Sequence, residues 1–273
     1  MAMTMDMNKQ FGVREIANVV LKAKADMWIG ATEFKAGAPV LYFDTLKTST
    51  VEGAATTVYA TGGRGNARLI SWDGERTITF TMEDALISPM GLAVLSGAGL
   101  VKKESAPAHF TARIDDTHGL PKNHTPLTEE DGYKIYAALV EEDGTVTGEL
   151  QLKNAVPVPK TGETYFVDYY ANVETINIDI EPGKFSGNFY LEAATLFRDV
   201  DGKDHAAEFI IPNCRVQSNF TFSMASSGDP STFTFTMDAF PGYTAYDKTK
   251  KVLCAIQMLE GNPADTQGEK AGE

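Results

Sequence analysis

The run Thr61-Gly62-Gly63-Arg64-Gly65-Asn66 is glycine-rich enough to bring backbone N–H groups close to a phosphate. A phosphate loop, however, ends in Gly-Lys-Ser/Thr and opens a helix N-terminus, and this run does neither. It reads instead as a flexible loop whose Arg64, with Arg68 just beyond, is free to meet a partner's carboxylates. Asp199-Val200-Asp201-Gly202-Lys203-Asp204 opens like a calcium loop, but its glycine comes early and no glutamate closes it. A hairpin turn fits better. The histidines His109, His118, His124 and His205 are scattered, with no pair at helical i, i+4 spacing that would suit zinc. Carboxylate pairs such as Asp115-Asp116 and Glu141-Glu142 sit in turn-like contexts and read as solvated surface. There is no Gly-x-Ser-x-Gly elbow and no Cys-His signature. The expectation is a protein without catalytic residues, cofactor or metal.

Composition narrows the function classes further. The chain has 273 residues and a net charge of −13, with 37 acidic against 24 basic side chains. A field of that sign repels phosphate backbones and disfavours tight nucleic-acid binding. No segment approaches the roughly 18 to 20 apolar residues of a membrane span. Met1 to Lys9 lacks the apolar core and cleavage site of a secretory signal, which predicts a cytoplasmic product. The only two cysteines, Cys214 and Cys254, are too few for a disulfide framework and read as reduced thiols, although spacing alone does not decide whether they pair.

The elements that carry these residues are β-strands. Thr77 to Met82 (TITFTM), Asn219 to Met224 (NFTFSM) and Thr232 to Met237 (TFTFTM) each alternate a large apolar residue with a small hydroxylated one. Side chains on a strand alternate between faces, so each stretch has one greasy face and one hydroxyl face. A solvent-facing strand ordinarily carries more Lys and Glu, so an uncharged polar surface is wanted here. TITFTMEDA and TFTFTMDA also echo each other, which fits either convergence on a good strand sequence or a duplicated β fold.

Elsewhere, apolar positions at Val13, Ile16, Val19, Val20 and Ala23 predict a short amphipathic helix over 13–27. A strand is expected at Val40 to Phe43, then a long Thr/Ala/Gly loop from Thr45 to Gly65, too long for a compact domain unless it acts outside its own fold. Asp73-Gly74 between Arg68–Trp72 and Thr77–Met82 signals a tight hairpin. Ser88-Pro89 begins, and Gly97 or Gly99 ends, a short apolar helix packed on a sheet through Leu86, Leu92, Val94 and Leu95. Residues 102–132 read as a linker or insertion. Further strands are expected at Tyr133–Leu139, Thr145–Leu152, Thr164–Tyr170, Thr175–Ile180, Lys184–Phe197, Ala206–Ile211, Arg215–Met224, Ser231–Asp238 and Val252–Leu259. The fold class is mainly β: a two-sheet antiparallel β-sandwich or barrel with one or two short packed helices.

The segment from Tyr59 through Thr61-Gly62-Gly63-Arg64-Gly65-Asn66 and Trp72-Asp73-Gly74 to Leu95-Ser96-Gly97-Ala98 resembles the tail tube (major tail) proteins of long-tailed bacteriophages. So do Pro182 to Arg198, Ile211 to Phe220 and Gly228-Asp229-Pro230. The polar, Met-rich residues 1–10 read as a flexible arm and the Gly, Pro and charged residues 260–273 as a loose tail; between them the resemblance implies a tube-type β-sandwich from 11–101 and 161–259 and an insertion or small added β subdomain at 102–160. It also implies a structural virion subunit with no enzymatic activity, assembled in the host cytoplasm into stacked hexameric rings that deliver DNA. Its partners would be further copies of itself, tape-measure and baseplate proteins, and a sheath if the tail contracts; DNA would pass without specific binding and no membrane is involved. Thr45, Thr50, Thr57, Arg64 and Arg68 are then candidates for ring contact. Thr77, Thr79, Thr81, Thr232, Thr234 and Thr236 are candidates for the lumen face. The alternatives are another virion component of related fold, such as a baseplate or head-completion protein, or a carbohydrate-binding β-sandwich using Tyr165, Tyr169, Tyr170 and Tyr190 as its platform.

Overall fold

The computed structural model describes residues 10–13, 17–141, 143–146, 149–221 and 232–259. In chain order the elements are β1 (Phe11–Val13), β2 (Asn18–Ala23), β3 (Met27–Ile29), β4 (Thr32–Phe34), β5 (Pro39–Phe43), β6 (Leu46–Gly62), β7 (Ala67–Asp84) and the helix α1 (Pro89–Ser96). There follow β8 (Gly99–Ile114), β9 (Ile135–Val140), β10 (Gln151–Lys153), β11 (Thr164–Asp179), β12 (Asn188–Asp199), β13 (Asp204–Val216), β14 (Phe233–Ala239) and β15 (Ala255–Met258). The protein is mainly β, as its alternating sequences require.

Two compact units divide the chain, Met1–Leu100 with Ile178–Glu273, and Val101–Asn177. In the first, the strands run in the order β5-β2-β12-β13-β14-β7-β6, with β1 also on β12 and β15 also on β13. Only Asp44 and Thr45 separate β5 from β6, which stand at opposite ends of that path. The sheet therefore folds over on itself around one core. Phe43 of β5 meets Phe235 of β14 edge-on at 5.0 Å across that core, where Val19, Leu21, Phe80, Met82, Phe189, Leu191, Ile211 and Met237 are also buried. Thr45 pins the corner by donating from Oγ1 to Asp84 Oδ1 at 2.5 Å. This is the sandwich architecture in which alternate residues of every strand face inward.

Helix α1 lies where the Ser88-Pro89 signal puts it. The Ser88 hydroxyl accepts from the Gly91 N–H at 2.9 Å, and Gly97 closes the helix with a left-handed φ of 70°. Ala93, Val94 and Leu95 are buried. Leu92 is only half-buried, and Leu86, expected on the sheet, precedes the helix and is 67% exposed.

The second unit is a sheet in the order β10-β9-β11-β8. Its core is Ile114, Ile135, Ala137, Val167, Tyr169 and Ala171, and the Tyr169 hydroxyl is 2.8 Å from His124 Nδ1.

Further expectations are overturned. In place of the helix expected over 13–27, the described residues of that stretch form strands: in β2, Val19, Leu21 and Ala23 are buried while Val20 and Lys22 turn outward. That short stretch satisfies both periods, and pairing between β12 and β5 decides for the strand. The loop from Thr45 to Gly65 is the 17-residue strand β6, paired along its length with β7. Asp73-Gly74 is not a hairpin turn but a bulge inside β7. Ala55 pairs with Arg76 and Thr57 with Asp73, so Gly74 and Glu75 together oppose Thr56. The Thr56 hydroxyl accepts from the Glu75 N–H at 2.9 Å, and a Cβ on Gly74 would stand 2.4 Å from that oxygen. The 102–132 linker begins as the long strand β8, and the two strands expected at 164–180 are the single strand β11. Asn219 to Thr221 are not in a strand. The rest of that stretch, the turn at 227–230, nearly all of the 1–10 arm and the 260–273 tail lie outside the described residues.

Candidate assembly surfaces

The three-strand register of β6, β7 and β14 turns the hydroxyl alternation into a surface. Thr81 pairs with Thr50 on one side and Thr236 on the other. One step along, Glu83 lies between Thr48 and Thr234, and in the other direction Thr79 lies between Glu52 and Asp238. Thr77, opposite Ala54, continues the face, and Thr232 stands immediately before β14. The alternate residues Val51, Phe80, Met82, Phe235 and Met237 go to the core. Directly opposed residues share a face, so the lumen candidates Thr77, Thr79, Thr81, Thr234 and Thr236 fall together on one face. With them are Thr48, Thr50, Glu52, Glu83 and Asp238, which the sequence reading did not select. The stretch Thr48-Ser49-Thr50-Val51-Glu52 carried the same alternation, but it lay within what read as a loop. At the paired positions of β6, β7 and β14 this face has hydroxyls and carboxylates, and Arg215 of β13 borders it beside Asp238. Asp238 is held by the Gln217 amide at 3.1 and 3.0 Å.

Beyond this surface β6 and β7 continue as a two-stranded ribbon. From Gly53 to Thr77 every residue is exposed except Ala60 and Gly62, which are half-buried. Its turn is the glycine-rich run: Gly63, Gly65 and Asn66 have φ of 77°, 95° and 51°, and the Asn66 N–H donates to the Gly63 carbonyl at 3.1 Å. Backbone of that hand needs residues that tolerate the left-handed region. Arg64 lies in this turn. On one ribbon face Val58 opposes Trp72 and Ala60 opposes Ile70; Val58, Ile70 and Trp72 are more than half exposed. On the other face the Arg68 guanidinium lies 4.1 Å over the Tyr59 ring. Of the five ring-contact candidates, Thr57, Arg64 and Arg68 belong to the ribbon, Thr50 lies on the hydroxyl face, and Thr45 is engaged at the β5–β6 corner. Sequence reasoning missed the apolar stripe because Val58, Ile70 and Trp72 align only once the pairing is known.

The other chemical candidates resolve into structure. Asp199 Oδ1 accepts from the N–H groups of Asp201 and Lys203, both at 2.9 Å, and Oδ2 lies 3.0 Å from His205 Nε2, so its carboxylate organises the β12–β13 turn. Among the described residues no group of three or more His, Cys, Asp or Glu side chains is placed to hold a metal, and no helix is long and apolar enough to cross a membrane. Cys214 and Cys254 are free thiols. The tyrosines Tyr165, Tyr169 and Tyr170 do not share one exposed platform: Tyr169 is in the second unit's core with Tyr165 packed against it, and Tyr170 alternates to the other face of β11.

What the fold offers is surface: a hydroxyl and carboxylate face, and a ribbon exposed on both sides. These define a β-structural protein with extended exposed faces and edges. A family model described as the YomU/Tube protein family matches residues 12–253, and the chain belongs to that family. Membership makes it a bacteriophage tube structural protein and a component of the virion tail. No curated protein matches the chain.

Proposed function

We propose that this protein is the repeating subunit of a phage tail tube, assembled in the host cytoplasm as hexameric rings that stack into a hollow channel for DNA delivery, with no catalytic role. The observation that carries the reading is the β6–β7 ribbon. A lone two-stranded hairpin is marginal in water, and among the described residues no strand pairs with the outer edge of β6. Native proteins blunt such edges with charge or cover them, yet Gly53 to Gly62 contains no charged residue. Contact with another copy covers both the edge and the apolar stripe, and a subunit that uses different surfaces to give and to receive builds rings and stacks. The hydroxyl and carboxylate face supports a channel role, because hydroxyls and carboxylates across β6, β7 and β14 do not hold a passing phosphate backbone.

Negative-stain microscopy of concentrated protein tests this. Tubes or six-fold rings are expected; dispersed monomers at high concentration overturn the proposal.

A further inference from the structure

A second surface of the first unit concentrates positive charge on a chain whose net charge is −13. The segment after β14 crosses the outer side of the sheet. There Tyr190 of β12 accepts a hydrogen bond from the Ala245 N–H at 3.1 Å, Gly242 and Val252 bridge to each other at 3.0 and 2.8 Å, and Thr244 is buried. This anchoring brings Lys248 near enough to Lys24, at the end of β2 on the same side, to act on its charge. The Lys24 ammonium lies 5.6 Å from the Tyr190 ring centre, and Lys251 lies 5.6 Å from that of Tyr243. Partial burial, and then the nearness of Lys248, hold Lys24 below the ordinary lysine range.

Among the described residues no carboxylate is within ion-pair distance of Lys24, Lys248 or Lys251. Of the nearby acids, Glu192 pairs with Lys22, Asp26 with Lys35, and Asp247 with Thr249 and, at 3.9 Å, Lys250, while Glu208, close enough to act on the Tyr190 hydroxyl, is half-buried. Asp238, next to Arg215 across the β13–β14 pair, is held by Gln217. Lys24 and Lys251, each over a tyrosine ring, and Lys248 near Lys24, none of them in an ion pair among the described residues, make a surface complementary to the protein's own prevailing charge.

We propose that the Lys24–Lys248–Lys251 patch, with Tyr190 and Tyr243, is an assembly contact that receives an acidic surface of a second copy of this chain. The inference rests on the tube reading and adds to it a contact distinct from the ribbon. An exposed charged contact acts mainly through association rate and complementarity. The experiment compares Lys24→Glu/Lys248→Glu with the control Lys122→Glu/Lys134→Glu, which makes the same charge change on exposed lysines of the second unit. The critical concentration for assembly of the full chain is read by light scattering, and folding by thermal melting.

The patch variant is expected to melt like the parent and to need about tenfold more protein to assemble, while the control stays near the parent. Equal shifts in both variants would mean net repulsion and overturn the inference, as would a patch variant that assembles like the parent. A parent that never assembles overturns the tube reading and this contact together. If charge reversal prevents folding, Lys24→Gln/Lys248→Gln removes the charge without reversing it, and the same comparison decides. Patch-dependent binding of the parent to duplex DNA, with assembly unaffected, would reject the second copy as the occupant.

Discussion

Thr236 of β14 stands directly opposite Thr81 of β7, and Thr50 of β6 stands on Thr81's other side, so three strands far apart in sequence present one transverse row of hydroxyls. Glu52 and Asp238 flank Thr79 in the next row, and Glu83 lies beside Thr234. A lysine at either threonine would meet a carboxylate across the strand, a favourable pairing on a sheet face. Thr79→Lys/Thr234→Lys is therefore expected to fold and melt within about 1 kcal/mol of the parent. If this face lines the channel, the added cations hold phosphate and slow DNA ejection. Parental ejection rates from assembled variant tails would assign the face to contact between subunits instead.

Removing the outer ribbon as a paired unit, residues 57–72 closed by a short Gly-Ser turn, should leave the melting transition nearly unchanged, because this part of the hairpin contributes no residue to the buried core. Assembly should be abolished. The finer variant Ile70→Ser/Trp72→Ser tests the apolar stripe alone and should weaken assembly without altering stability, since both side chains are more than half exposed in the single chain. Parental assembly by the stripe variant would place the contact on the ribbon's edge or on its Tyr59–Arg68 face.

Helix α1 is held at its end by Gly97. A Cβ there would stand 2.5 Å from the Phe185 carbonyl carbon and the Ser186 nitrogen, in a backbone with φ of +70°. Gly97→Ala should cost about 2 kcal/mol or more from strain and clash combined, and Leu95→Ala should cost about 2–5 kcal/mol by leaving a cavity. Chemical denaturation measures both. Parental midpoints would mean that the helix does not pack against the Phe185–Ser186 backbone.

Burial pushes the Cys214 thiol up to about 12 from its usual 9.0, a shift that nearby Lys24 only partly opposes. Between those values the folded state binds a proton that the unfolded chain has released, so this group's contribution to stability is complete below pH 9 and declines as pH rises. The slope is about 1.4 kcal/mol per pH unit for one group. Cys214→Ala should flatten the alkaline loss of stability measured by denaturation at successive pH values. In the native protein at pH 8, Cys214 should react with alkylating reagents only on unfolding; rapid native labelling would show that the β12–β13 core is open.

Much of this protein was written in local order. The alternation of Phe and Thr in 77–82 and 232–237 set which side chains are buried, because a strand's period of two leaves no other arrangement once one face meets a core. Ser88-Pro89 and Gly97 set the helix ends, since those residues satisfy or permit terminal backbone that others do not. The acidic composition and the absence of catalytic signatures pointed toward a structural role, and the resemblance to tube proteins agrees with the family match over 12–253.

What local order did not contain is which strands meet. The stretch 46–62 has no core pattern of its own, and it becomes a strand because β7 supplies its hydrogen bonds. Asp73-Gly74 has turn chemistry, yet the same left-over freedom serves a bulge once Thr56 caps it from the opposite strand. Val19 to Ala23 fits a helix or a strand until β12 and β5 close on both sides. The apolar stripe on the ribbon, the row of hydroxyls and carboxylates, and the nearness of Lys248 to Lys24 are all juxtapositions across strands or across the chain. Each depends on register and packing, which are long-range properties, and so each belongs to the tertiary structure alone.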